Sequence, residues 1–91
     1  MADIYNERYN NIDAKVDNIK NSTDITSKIK ARAIEILLQS NTTLDLFYEE
    51  HGWLFFYGQW EIFDTEDRLR YILAQLEIDE LTEFFGYEIQ I

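Results

Sequence analysis

The sequence predicts an α+β fold: an N-terminal αα-hairpin, then an aromatic-rich β-hairpin and a C-terminal strand that form a small antiparallel sheet packed with helices. Three observations predict it. Apolar residues recur at helical spacing through residues 1–40. Aromatic residues crowd both sides of Gly58-Gln59. The closing stretch Tyr87-Glu88-Ile89-Gln90-Ile91 alternates apolar and polar side chains. With 91 residues, no proline and no Gly/Ser-rich run, residues 1–91 read as a single compact domain.

Tyr5, Tyr9, Ile12, Val16 and Ile19 are spaced by four, three, four and three residues, which puts them on one stripe of a helix. The stripe covers barely two heptads, and Asn6, Asn10, Asn11 and Asn18 lower helix propensity. It therefore reads as an amphipathic helix packed on its own domain; the alternative is a self-association seam that makes a homodimer. Asn21-Ser22-Thr23-Asp24 is a turn cluster in which Asp24 caps a second helix with apolar positions Ile25, Ile29, Ala33, Ile36 and Leu37. Lys28, Lys30 and Arg32 spread around that helix and read as solvated charges.

Ser40-Asn41-Thr42-Thr43 is the next stop and start, with Thr43 capping a short helix through Leu44, Phe47 and Tyr48 that ends at Gly52. Residues 44–50 also fit partial alternation, so helix and strand both stand open there. Trp53-Leu54-Phe55-Phe56-Tyr57 and Trp60-Glu61-Ile62-Phe63 read as strands joined by a II′ turn at Gly58-Gln59. Asp64 or Thr65 caps the following helix, whose apolar face is Leu69, Ile72, Leu73 and Leu76, with Glu66 and Asp67 at its positive end. Asp79 caps a last short helix through Leu81, Phe84 and Phe85 that Gly86 ends, and Tyr87–Ile91 joins the hairpin as a third strand.

The charges divide the chain. Residues 1–40 hold six acids and six bases and are neutral, whereas residues 41–91 hold twelve acids, only Arg68 and Arg70 as bases, and twelve of the fourteen aromatics. All of the net charge of −10 lies in the second part. Such a chain repels bare nucleic acid and anionic lipid, and a basic protein surface is its natural mate. Its 46% hydrophobic content is nonetheless enough to build a core, which sets it apart from a disordered acidic tail.

The absence of cysteine excludes disulfides, thiolate nucleophiles and sulfur-based zinc sites. His51 is the only histidine and lies beside Glu49 and Glu50, so it reads as an exposed imidazole near carboxylates and not as a general base. Gly52, Gly58 and Gly86 are isolated, so there is no phosphate-cradling loop. The expectation is a non-enzyme with no catalytic residues, no metal and no cofactor. The N-terminal residues lack a basic stretch followed by an apolar run, and Trp53–Tyr57 is too short to span a bilayer, so the protein is expected in the cytoplasm with no membrane partner.

Two groups of acids are the candidate partner-binding residues. Glu61, Asp64, Glu66 and Asp67 surround the start of one helix, and Glu77, Asp79, Glu80 and Glu83 surround the start of the last. On a helix such neighbours form rows of negative charge that imitate phosphates and accept bidentate bonds from Arg. Trp53, Phe55, Phe56, Tyr57, Trp60 and Phe63 exceed what one face of a hairpin buries; either helices cover both faces, or one face looks outward and Trp53 and Trp60 are candidate anchors inside an acidic rim.

In size, lack of cysteine, concentrated acidity and absence of catalytic residues, the whole chain resembles the small acidic inhibitors made by phages, of the anti-CRISPR and anti-restriction type. The resemblance implies a protein that occupies the basic groove of a nucleic-acid-binding protein, such as a CRISPR effector or restriction enzyme, inside the host bacterial cell. It implies no direct contact with nucleic acid. Two other readings stand beside it: an immunity protein or antitoxin against a nuclease, and a homodimeric adaptor joined through Tyr5, Tyr9, Ile12, Val16 and Ile19, in which acidity only maintains solubility.

Overall fold

Among the described residues five α-helices follow one another: α1 (Ala2–Asn21), α2 (Ile25–Leu38), α3 (Asn41–His51), α4 (Thr65–Ala74) and α5 (Ile78–Phe85). A 3₁₀ turn, Gly52–Leu54, follows α3. The computed structural model describes residues 2–55, 58 and 60–91, with side chains from Ile12 onward. Among these residues there is no β-strand.

The α+β expectation is therefore corrected to an all-helical fold. Trp53 and Leu54 belong to the 3₁₀ turn, Phe55 is extended, and Trp60, Glu61 and Ile62 form a turn. Phe56, Tyr57 and Gln59, the remainder of the expected hairpin, lie outside the described residues. An isolated two-stranded hairpin is marginal in water, and the aromatic rings here find helices as neighbours instead. Trp60 meets Tyr48 of α3 edge-on at 4.7 Å, and Phe55 meets Phe63 at 5.4 Å and Tyr71 of α4 at 5.9 Å. Arg68 fastens the loop: its guanidinium donates to the Trp60 carbonyl, to the Phe63 carbonyl at 3.0 Å and to Thr65 Oγ1 at 3.1 Å. It also lies 4.7 Å above the Trp60 ring. Residues 87–91 are likewise not a strand. They form a tail without regular structure in which Ile89 alone is buried, so the alternation reports one-sided burial without pairing.

The αα-hairpin is present, as are the turn at residues 22–24 and the helical alternative for residues 44–50. Asp24 stands at the N-cap of α2 with extended backbone, its carboxylate accepting from the Ser22 hydroxyl and not from the helix. Ser40, not Thr43, caps α3, with its Oγ accepting from the Thr43 amide at 3.3 Å. Asp64 caps α4, its carboxylate accepting from the Asp67 amide at 2.8 Å. Glu77, not Asp79, is the N-cap of α5, and the Glu80 carboxylate reaches back to the Glu77 amide at 3.1 Å. Gly86 ends α5 at φ 81°, the left-handed conformation that favours glycine.

Packing centres on α2, which touches α1, α3, α4 and α5. Its Ala33, Ile34 and Leu37 are buried, together with Val16 and Ile19 of α1, Phe47 of α3, Leu69, Ile72 and Leu73 of α4, and Leu81 of α5. Two expectations for α2 are corrected: Ile25 is exposed, and Lys30 is enclosed at 9% exposure, not solvated. Burial, assisted by Lys15, holds the Lys30 ammonium below the usual lysine range, while Glu77, Asp24 and Glu80 act against this. Tyr71 joins α4 to α1, its hydroxyl donating to Asp13 at 2.7 Å.

Candidate functional site

Thr43, Leu46 and Glu50 lie at i, i+3 and i+7 of α3 and so share one face. Glu80, Glu83 and Phe84 lie within about one turn of α5. Between these two faces runs an open groove of about 860 Å³, completed by Ile36, His51, Phe85 and Tyr87. Both helices pack on α2, and Phe47 of α3 reaches across to α5. It is fully buried, with its ring edge-on to Phe84 at 5.3 Å and tilted against His51 at 5.2 Å. Phe85 packs on Phe84 at 5.0 Å and Tyr87 on Phe85 at 6.0 Å, which extends the aromatic floor along the groove. Leu46 and Tyr87 remain about half exposed, at 51% and 52%.

Among the described residues the lining carries three carboxylates, from Glu50, Glu80 and Glu83, and no Lys or Arg. The only bases of residues 41–91 are engaged elsewhere. Arg70 pairs with Glu66 at 3.0 Å and Asp67 at 2.6 Å on its own helix, and Arg68 is held by the Trp60–Thr65 loop. The enclosed Lys30 is attracted by Glu77 and Glu80. The groove therefore presents an excess of negative charge around an apolar floor.

The two expected acid groups have different fates. In the first, Asp64 is a helix cap, Glu66 and Asp67 clamp Arg70, and Asp67 also lies 3.9 Å from Lys20. Glu61 is exposed in the turn before α4. In the second group, Glu80 and Glu83 line the groove, whereas Glu77 is the α5 N-cap. Asp79 lines a second, smaller cleft of about 440 Å³ with Ile25, Ile78, Glu88 and Ile91. The acids around the start of α5 are thus divided between two clefts, with Glu80 and Glu83 on the groove and Asp79 on its neighbour.

Trp53 is 77% exposed, and Trp60 is half-buried between Tyr48 and Arg68. Of the expected self-association stripe, Val16 and Ile19 are buried and Ile12 packs against the same core. The Tyr5 and Tyr9 side chains lie outside the described residues. Leu46, Glu50 and Tyr87 are groove residues that the sequence reading did not single out. The signal for the first two was their i, i+4 spacing, which is visible once residues 44–50 are taken as helix.

Among the described residues no group of three His, Asp or Glu is placed to hold a metal ion, and no helix is long and apolar enough to cross a membrane. Comparison with protein-family models, curated proteins and solved structures finds no match to this chain.

Proposed function

We propose that the protein is a non-enzymatic inhibitor that works inside a bacterial cell by occupying the basic nucleic-acid-binding surface of another protein, of the CRISPR-effector or restriction-enzyme type. The observation that carries this reading is the α3–α5 groove, whose lining among the described residues has three carboxylates, no Lys or Arg, and an accessible apolar floor. Lys and Arg that neutralise phosphates in the partner meet Glu50, Glu80 and Glu83 instead, in charge-assisted bonds that Arg makes to carboxylate as well as to phosphate. Leu46 and Tyr87 add apolar contact that a nucleic acid backbone does not offer, so the inhibitor competes by charge and is retained by burial.

Capture from bacterial lysate on the immobilised protein tests this, with elution by a salt gradient and with excess duplex DNA as competitor. The expected result is a nucleic-acid-binding protein released by salt, displaced by DNA, and not retained by a Glu50→Lys/Glu83→Lys variant. A partner indifferent to salt, DNA and the two charge reversals rules the reading out.

A further inference from the structure

The groove has a shape as well as a charge, and the shape selects the partner element. Its α3 wall, from Thr43 to Glu50, rises about 10 Å along the helix axis at 1.5 Å per residue. That is close to two helical turns. Glu80 and Glu83 on the opposite wall stand about 5–6 Å apart at Cβ, the same interval that separates side chains at i and i+3 or i+4 of any helix laid alongside. Leu46 and Tyr87, each about half exposed, line the groove together with Glu50, Glu80 and Glu83. Side chains on one face of an extended segment repeat about every 6.6 Å, a looser match to the Glu80–Glu83 interval than one helical turn. A helix with an apolar stripe flanked by Lys and Arg covers both the apolar pair and the carboxylates.

We infer that the groove takes an amphipathic basic α-helix of the partner protein, apolar stripe on Leu46, Phe84 and Tyr87, with cations one turn apart paired to Glu80 and Glu83 and a further cation on the far edge paired to Glu50. This rests on the proposed function and narrows it: the blocked surface is one that grips nucleic acid with a helix. Complementary charge commits the occupant. A second copy of this chain brings another net charge of −10 and is opposed by repulsion.

The test uses the full chain and two fluorescent peptides of about 15 residues, long enough for several helical turns. One has a Leu stripe flanked by Lys and Arg at i, i+4; the other has the same composition scrambled so that no amphipathic face forms. Anisotropy titrations are run at low and physiological salt with the wild-type protein and with Leu46→Ser and Glu83→Lys, both exposed positions whose folding is checked by circular dichroism. The expected result is binding of the helical peptide about tenfold tighter than the scrambled one, with each variant losing about fivefold or more. Equal, salt-sensitive binding of both peptides overturns the helix inference while leaving the acidic-face reading standing. Helical-peptide binding unaffected by both variants overturns the inference by placing the contact elsewhere. Failure of both peptides to bind at low salt overturns the inference and the acidic-face reading together.

Discussion

Replacing Arg68 by Met, which keeps the apolar stem and removes every donor, tests what holds the aromatic segment against the helices. The guanidinium donates to the carbonyls of Trp60 and Phe63 and to Thr65 Oγ1, and it stacks on the Trp60 ring. These contacts are only partly buried, so each carbonyl bond to the charged donor is assigned about 1 kcal/mol, and the stacking about 0.5–1 kcal/mol. Against this, the buried Arg68 Nε has no partner among the described residues, and its removal returns about 1 kcal/mol. The net loss is about 2 kcal/mol, which for a domain of this size lowers Tm by roughly 8–16 °C. Urea unfolding followed by tryptophan fluorescence and by circular dichroism measures it. Arg70→Met is the control, because its partners Glu66 and Asp67 are on the same helix and partly exposed, and its loss is about 0.5 kcal/mol. An Arg68→Met loss no larger than that of Arg70→Met refutes the role given to Arg68.

Tyr71 is the second test. Its bond to Asp13, with lesser effects of burial and neighbouring acids, raises the phenol from 10.0 to about 12. The folded chain thus holds this proton more tightly than the unfolded chain. The resulting stability is complete below about pH 10 and declines as the pH rises through about 12. Tyr71→Phe is expected to lower stability at neutral pH by about 0.5–1 kcal/mol and to remove this part of the alkaline decline, measured by urea midpoints against pH. Lys30→Met is expected to leave stability unchanged or raise it by about 1 kcal/mol, since it removes a charge that burial disfavours; a loss above about 1 kcal/mol would show that the Glu77 and Glu80 attraction outweighs burial. Charge reversal is best read at Glu50 and Glu83. Glu80→Lys also removes the bond to the Glu77 amide and places a cation at the positive end of α5, so its melting temperature is expected to fall while that of Glu83→Lys stays within a few degrees.

The helices were legible where one physical cause wrote the pattern. Leu69, Ile72, Leu73 and Leu76 are all buried, as their spacing requires, and Asp64 and Gly86 act as the start and stop their chemistry suits. The aromatic segment was misread because strand preference records a fit to packed neighbours and not a backbone state. Tyr48, Phe63 and Tyr71 supply those neighbours to Trp60 and Phe55 without any strand pairing. Tyr87–Ile91 failed for a related reason, since one buried Ile89 between exposed residues gives the same alternation in a tail as in a strand. The candidate site was half legible. Acid density pointed to α5, but the grouping of Glu80 and Glu83 with Glu50, and of Asp79 with a second cleft, follows from how α3 and α5 both pack on α2, with Phe47 against Phe84. No local pattern encodes that contact. The other acid group shows the converse, because Asp64, Glu66 and Asp67 are near in sequence to the groups that satisfy them, the Asp67 amide and Arg70.

The central claim is that the partner meets the α3–α5 groove, and backbone chemical-shift mapping of the ¹⁵N-labelled protein against the captured partner tests it most directly. The account predicts that the largest changes fall on Thr43, Leu46, Glu50, Glu80, Glu83 and Tyr87, that they fade with added salt, and that duplex DNA reverses them. Changes centred on Asp64–Arg70 or on α1, or changes unmoved by salt and DNA, contradict it.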